Sequence, residues 1–153
     1  PLPNFKPCSA IIIITAVSFG PEAGFLTGAL TALVSNFIFG QGPWTPWQMF
    51  AMGIMGLLAG VLFRKGILHR ERFSLSVFGG LVTFLIYGGI MNPASVLMYQ
   101  ANPDWQMVLA AYITGVPADA IHALATVMFL WFLSEPMLEK LDRVKVKYGL
   151  VER

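Results

Sequence analysis

Phe25–Phe63 reads FLTGALTALVSNFIFGQGPWTPWQMFAMGIMGLLAGVLF, 39 consecutive residues without Asp, Glu, Lys or Arg. About 20 apolar residues cross a bilayer, so this stretch is long enough for two crossings. Gly40-Gln41-Gly42-Pro43-Trp44-Thr45-Pro46 concentrates glycine and proline where the chain must turn between them. Thr45-Pro46-Trp47-Gln48 then reads as a helix start, with Thr45 as N-cap, Pro46 at the first helical position and Gln48 closing a capping box. Helices are expected over about 23–40 and 46–63.

Working outward, a second charge-free run, Phe73 to Pro103, predicts a helix from 73 to about 91, ended by Asn92-Pro93. Trp105 to Ser134 is interrupted only by Asp119 and His122 and predicts another. Gly115-Val116-Pro117 is expected to kink or break it, which leaves Asn102 to Ile113 as a capped segment at the interface. Upstream, Pro7 to Phe19 is apolar and β-branched, but its 13 residues reach only about 20 Å as a helix. It is either a short crossing or a re-entrant segment. Leu138 to Lys147 mixes charges with apolar residues, as a solvated helix or one lying on a membrane surface does. The expected fold is all-α, a polytopic transmembrane bundle of about five hydrophobic segments, with a membrane domain over 1–137 and a tail over 138–153.

Composition agrees. Charged residues make up 12% of the 153, against about 25% in soluble domains. That deficit excludes a soluble enzyme, a disordered chain and a nucleic-acid binder, because the basic pI of 8.9 rests on a net charge of only +2. One cysteine, Cys8, cannot form an internal disulfide. There is no phosphate-cradling glycine-lysine loop, no His-Glu-x-x-His and no Gly-x-Ser-x-Gly, so neither ATP hydrolysis nor intramembrane proteolysis is encoded in recognisable form. The chain opens at Pro1 without a signal sequence and reads as a fragment of a longer protein.

Nine of the ten basic residues fall in two places: Arg64, Lys65, Arg70 and Arg72, then Lys140, Arg143, Lys145, Lys147 and Arg153. The positive-inside rule places both clusters, and hence the C-terminus, in the cytoplasm of a multi-pass cell-membrane protein. The loops at Gly40 to Thr45 and Asn92 to Asp104 then face outside, and Gly20 to Gly24 lies inside. Counting back about 20 residues from Ser134 puts Asp119 and His122 roughly 8 and 12 Å below the outer surface.

Asp119 and His122 are three apart and share a helix face, and ionisable groups within a span point to function. The bland reading is a hydrogen-bonded pair gluing two helices. As a metal site the pair offers only two ligands. Trp44 and Trp47 provide two indoles on a proline-stiffened backbone, suited to stacking a flat ligand or to ordinary interfacial anchoring. Asn36, Gln41, Tyr87 and Asn92 lie at a similar depth. Gly24 with Gly28, and Gly56 with Gly60, are small-xxx-small pairs that allow close helix approach, within the bundle or against a partner subunit.

Phe5-Lys6-Pro7, Gly20-Pro21-Glu22-Ala23-Gly24-Phe25, Asn36-Phe37, the Gly40 to Met49 block, Tyr87-Gly88-Gly89-Ile90-Met91-Asn92-Pro93-Ala94-Ser95 and the Asp119 to His122 stretch together resemble the substrate-binding S components of energy-coupling factor (ECF) transporters. The resemblance covers nearly the whole chain and is closest to the cobalamin-type branch. It implies a six-helix membrane core that captures a vitamin, cobalamin first, from outside. It also implies a separate transmembrane coupling subunit and two ATPase subunits, with no catalysis or cofactor in this chain. Lids would be Pro1 to Pro7, Gly40 to Pro46 and Asn92 to Asp104, and the family's first core helix is absent. On this reading Trp44 and Trp47 stack on the ligand, Asn36, Gln41, Tyr87 and Asn92 hydrogen-bond it, and Asp119 with His122 fixes its polar groups. The alternatives are a membrane enzyme with an Asp119/His122 acid–base pair, or a structural helix bundle.

Overall fold

The computed structural model describes residues 4–150. Pro1 to Pro3 of the first expected lid and Arg153 of the basic tail lie outside the described residues. The described chain is helical from end to end: α1 (Cys8–Phe19), α2 (Pro21–Phe39), α3 (Thr45–Arg64), α4 (Arg72–Val82), a π-helical turn (Thr83–Tyr87), α5 (Gly88–Tyr99) and α6 (Trp105–Lys147). Four rods are long and apolar enough to cross a membrane, Pro21–Phe39, Thr45–Arg64, Arg72–Tyr99 and Trp105–Lys147. Their outward faces remain apolar, with Phe37 71%, Ile38 74% and Phe132 68% exposed. Only a lipid environment accommodates so continuous an apolar exterior.

The fifth segment, α1, is the short one. Its 12 residues rise about 18 Å, and it is buried at the centre of the bundle, with Ile12, Ile13 and Ile14 at 0% exposure. Ser9 near its start bonds His122, while the Ser18 carbonyl near its end accepts from Lys145. The helix therefore runs from the end of the bundle that carries the Gly40–Trp44 loop to the end that carries Arg64 and Arg70, and does not turn back on itself. We call these the loop end and the basic end. At the basic end Gly20 takes φ +105°, a left-handed value that disfavours any β-carbon, and Pro21 opens α2 directly after it.

α2 and α3 pack along the two glycine pairs anticipated above. A β-carbon at Gly24 would strike the Gly56 backbone, one at Gly28 the Met52 backbone, and one at Gly60 Pro21. Without side chains the two backbones meet directly, which is how apolar helices associate in lipid. The glycines are thus satisfied within the bundle.

Three expectations about helix boundaries are corrected. Asn92-Pro93 does not end a helix: α5 runs through it to Tyr99, so the loop there shrinks to residues 100–104. Pro93 has no N–H to give to the carbonyl of Gly89, and the Tyr112 hydroxyl donates to that carbonyl instead, at 2.8 Å. Gly115-Val116-Pro117 does not break α6 either. The helix continues for 43 residues, about 65 Å, with Pro117 and Pro136 inside it. Asp104 caps its start by accepting from the Met107 amide at 2.8 Å, so Asn102 to Ile113 is no separate interfacial segment. A helix opened within lipid would strand backbone groups that nothing else could satisfy. Finally, Thr45-Pro46-Trp47-Gln48 begins a helix, but no side-chain cap forms there. The Thr45 and Gln48 side chains are committed elsewhere.

At the basic end, Arg70 reaches Asp142 at 3.1 Å, Lys145 reaches the same carboxylate at 3.0 Å, and Arg72 pairs with Glu135. The Arg70 and Arg72 pairs tie the α3–α4 connection and the start of α4 to the far part of α6, while Lys145 shares Asp142 within α6.

Candidate functional site at the loop end

The polar groups of the loop end form one connected chain. Asn36, on the last turn of α2, donates from its amide nitrogen to Thr45 Oγ1 (3.1 Å) and to Gln48 Oε1 (2.7 Å). The Thr45 hydroxyl donates to Gln41 Oε1 at 2.8 Å and accepts the Gly42 amide at 3.3 Å. Gln48 Nε2 donates to the Tyr87 hydroxyl at 3.3 Å. The Tyr87 ring stands edge-on to the His122 ring, centroids 4.8 Å apart at 89°, and His122 Nε2 shares a 2.8 Å hydrogen bond with Ser9 Oγ. Five helical elements and the α2–α3 loop thus meet through seven polar side chains. This is why Thr45 and Gln48 do not cap their own helix: bonding across the bundle satisfies them and their partners together.

Asn36, Gln48, Tyr87 and His122 of this network line a cavity of about 220 Å³, together with Trp44, Phe39, Asn4, Lys6 and Gly40. The Lys6 ammonium sits 4.1 Å from the centroid of the Phe39 ring, both residues lining the cavity. The π-helical turn contributes directly. Its wider turn buries both Thr83 and Tyr87. Thr83 donates to Thr126 at 3.2 Å and Tyr87 faces the cavity. Such turns recur at functional sites because they redirect a side chain without breaking the helix.

The structure gathers some of the sequence candidates and separates others. Asn36, Trp44, Tyr87 and His122 line the same cavity. Gln41 supports it from outside, donating to the Leu33 carbonyl at 3.3 Å and accepting from Thr45. Trp47 is half-buried on the first turn of α3 and is not among the lining residues, so the two indoles do not face each other across the cavity. Asp119 and His122 share a helix but not a site. Asp119 accepts from Asn92 Nδ2 at 2.7 Å and borders a second cavity of about 260 Å³ with Gly88, Tyr112 and Val116. Gly88 and Gly115 let this pair fit, since a β-carbon at either would run into Asp119 or Asn92. Asp119 and Asn92 therefore cross-link α6 to α5, while His122 alone reaches the polar chain. Among the described residues no three His, Cys, Asp or Glu side chains gather as a metal site would require.

Sequence reasoning missed Gln48, Thr45 and Ser9. The first two were absorbed by a capping motif that fits the local pattern. Ser9 carried a faint signal, one of three hydroxyls (with Thr15 and Ser18) in an apolar segment too short to cross a bilayer alone.

The described residues thus form an all-helical membrane bundle with a small polar cavity beside the α2–α3 loop. The family model of the ECF-type riboflavin transporter, S component, matches residues 1–135, and the chain belongs to that family. A UPF0397 protein of Clostridium perfringens strain SM101 is 37% identical, over all of this chain and 80% of its own length. One from C. perfringens strain ATCC 13124 is 37% identical over 76% of this chain. Another from Vibrio atlanticus is 28% identical over 60% of it. The chain spans 65% and 51% of these last two relatives. No solved structure matches it.

Proposed function

We propose that the chain captures a small, flat, heteroaromatic micronutrient in the loop-end cavity and delivers it through a separate ATP-driven coupling module. The observation that carries this reading is the cavity itself, lined by an indole and an amide–phenol–imidazole chain. Apolar flanks with a few convergent polar groups are what a small-molecule site requires. At about 220 Å³ it falls below the roughly 300–1,000 Å³ of sites for drug-sized ligands. It suits a ring system whose polar substituents reach toward Lys6 and Trp44, which line it. The riboflavin in the family's name agrees in chemistry. The cobalamin expected from the resemblance lacks such support, because a corrin is far larger than this space.

In the bound state Trp44 stacks on the ring, Gln48 and Tyr87 read its heteroatoms, and His122, whose Nδ1 makes no hydrogen bond within the described chain, offers a further donor or acceptor. The two basic clusters orient the loop end outward by the positive-inside rule. ATP hydrolysis belongs to partner subunits. Separation of Asp119 from His122 disfavours the acid–base enzyme, since each lines a different cavity.

The test is riboflavin binding to the full chain in nanodiscs, with Trp44→Ala and Trp47→Ala made singly. Trp44→Ala is expected to weaken binding about fivefold to tenfold, from loss of roughly 1–1.4 kcal/mol of aromatic contact. Trp47→Ala leaves it near wild type. Equal losses in both variants, or in neither, contradict the site.

A further inference from the structure

A larger cavity than the proposed ligand site lies at the other end of the molecule. It encloses about 560 Å³ between the end of α1, the end of α3 and the tail of α6, and Ser18, Arg64, Arg70 and Lys145 line it together with Phe63 and Leu150. No acidic residue is among its lining side chains. Asp142 neutralises part of this charge, pairing with Arg70 at 3.1 Å and Lys145 at 3.0 Å. Arg64 makes no ion pair among the described residues. Three cations thus share one paired carboxylate at the basic end, with the Glu22 carboxylate nearby beside Gly20 but in no ion pair with Arg64 among the described residues.

A second feature points the same way. The Ser18 side chain is 8% exposed, and its hydroxyl makes no hydrogen bond within the described chain. Buried polar groups are almost always bonded. Here the orphan hydroxyl stands beside three basic side chains, while its own backbone carbonyl already accepts Lys145 Nζ at 2.7 Å. A guanidinium presents several N–H donors in a fork that fits phosphate oxygens. Phe63 and Leu150 add an apolar wall.

We propose that this cavity binds a phosphate group, held by Arg64, Arg70 and Lys145 with the Ser18 hydroxyl as an additional donor. The favoured source is the headgroup of an anionic phospholipid, because the cavity lies between the ends of apolar helices α1 and α3 and the charged tail of α6, and basic pockets between transmembrane helices hold such headgroups. A free phosphorylated molecule has the same chemistry. The site is independent of vitamin capture, and its test does not require the micronutrient.

The full chain is purified and placed in nanodiscs of phosphatidylcholine with a minor fraction of phosphatidylglycerol, and the lipid retained after mild extraction is measured by native mass spectrometry. Wild type retains phosphatidylglycerol in preference to phosphatidylcholine. Arg64→Gln lowers that retention about tenfold or more, as loss of a charged hydrogen-bonding partner does. Ser18→Ala lowers it several-fold and, removing only an unbonded hydroxyl, leaves the fold intact. Arg143→Gln, on the same tail but outside the cavity, serves as the control for general surface charge and leaves retention unchanged. Wild-type retention in either cavity variant overturns the proposal, as does an equal loss in Arg143→Gln. Competition by inorganic phosphate shows that the phosphate group alone is recognised. Displacement only by phosphatidylglycerol assigns the site to the lipid.

Discussion

Asn36 occupies the junction of the loop-end network, donating to Thr45 and Gln48 from one amide nitrogen. It is 7% exposed, so replacing it with Leu strands the Gln48 amide oxygen where water has little access, while Thr45 keeps the Gly42 amide. A stranded group costs about 1–3 kcal/mol. Asn36→Leu is expected to lower the thermal stability of the detergent-solubilised protein and to reduce ligand binding at least tenfold, as read by unfolding curves and equilibrium titration. Retention of both would mean the network is incidental to the site. Asn36 was legible in the sequence as a polar residue at the right depth, as were Tyr87 and Trp44. Its partners were not, because Thr45-Pro46-Trp47-Gln48 satisfies a local capping pattern and nothing local reveals that Asn36 competes for the same side chains. Asp119 and His122 show the opposite error. A spacing of three places two residues on one face, but each enters a different gap between helices, and only the packing of α5 and α1 against α6 decides which.

At the scale of elements, charge-free runs located every rod, because length and apolarity alone determine what crosses a bilayer. Helix ends were harder to read. Asn92-Pro93 and Gly115-Val116-Pro117 carry helix-breaking residues, yet both stay helical where lipid makes an open backbone costlier than a missing hydrogen bond. Tyr112 compensates at one of them, so Tyr112→Phe should leave the Gly89 carbonyl unpaired and cost about 1–3 kcal/mol. Faster amide exchange confined to residues around Gly89 is the expected signature, and unchanged exchange would show that the Tyr112 bond does not support the helix. The α2–α3 seam was legible as two glycine pairs, though not that they face each other. Gly56→Val inserts a side chain against the Gly24 backbone. Overpacking of this kind costs roughly 1–3 kcal/mol even where side chains can shift, so expression of folded protein should fall sharply. Gly89→Ala has open space at its β-carbon and should be tolerated.

For the whole molecule, the long tail of α6 is held to the α3–α4 connection by Asp142 between Arg70 and Lys145. Burial alone would raise the Asp142 pKa, but hydrogen bonds and charge from Lys145 and Arg70 outweigh it and hold the carboxyl below its ordinary 3.8. A depressed carboxyl stabilises the folded state above its ordinary pKa and loses that contribution as pH falls through the lower folded value. The tail should therefore loosen as pH drops below about 3.8, seen as increased exchange over residues 138–147. Asp142→Asn should show the loosening already at neutral pH. Orientation is tested separately. In a Cys8→Ser background, an impermeant thiol reagent applied to intact cells should label a cysteine at Gln41 and spare one at Lys65.

The reading depends most on the loop-end cavity holding a small flat ring. The direct measurement is mass spectrometry of small molecules extracted from the full chain purified from its membrane, compared with an Asn36→Leu, Trp44→Ala double variant. One heteroaromatic compound at near-stoichiometric amount in wild type, and its absence from the variant, is the expected result. The same compound at the same occupancy in both proteins would contradict it.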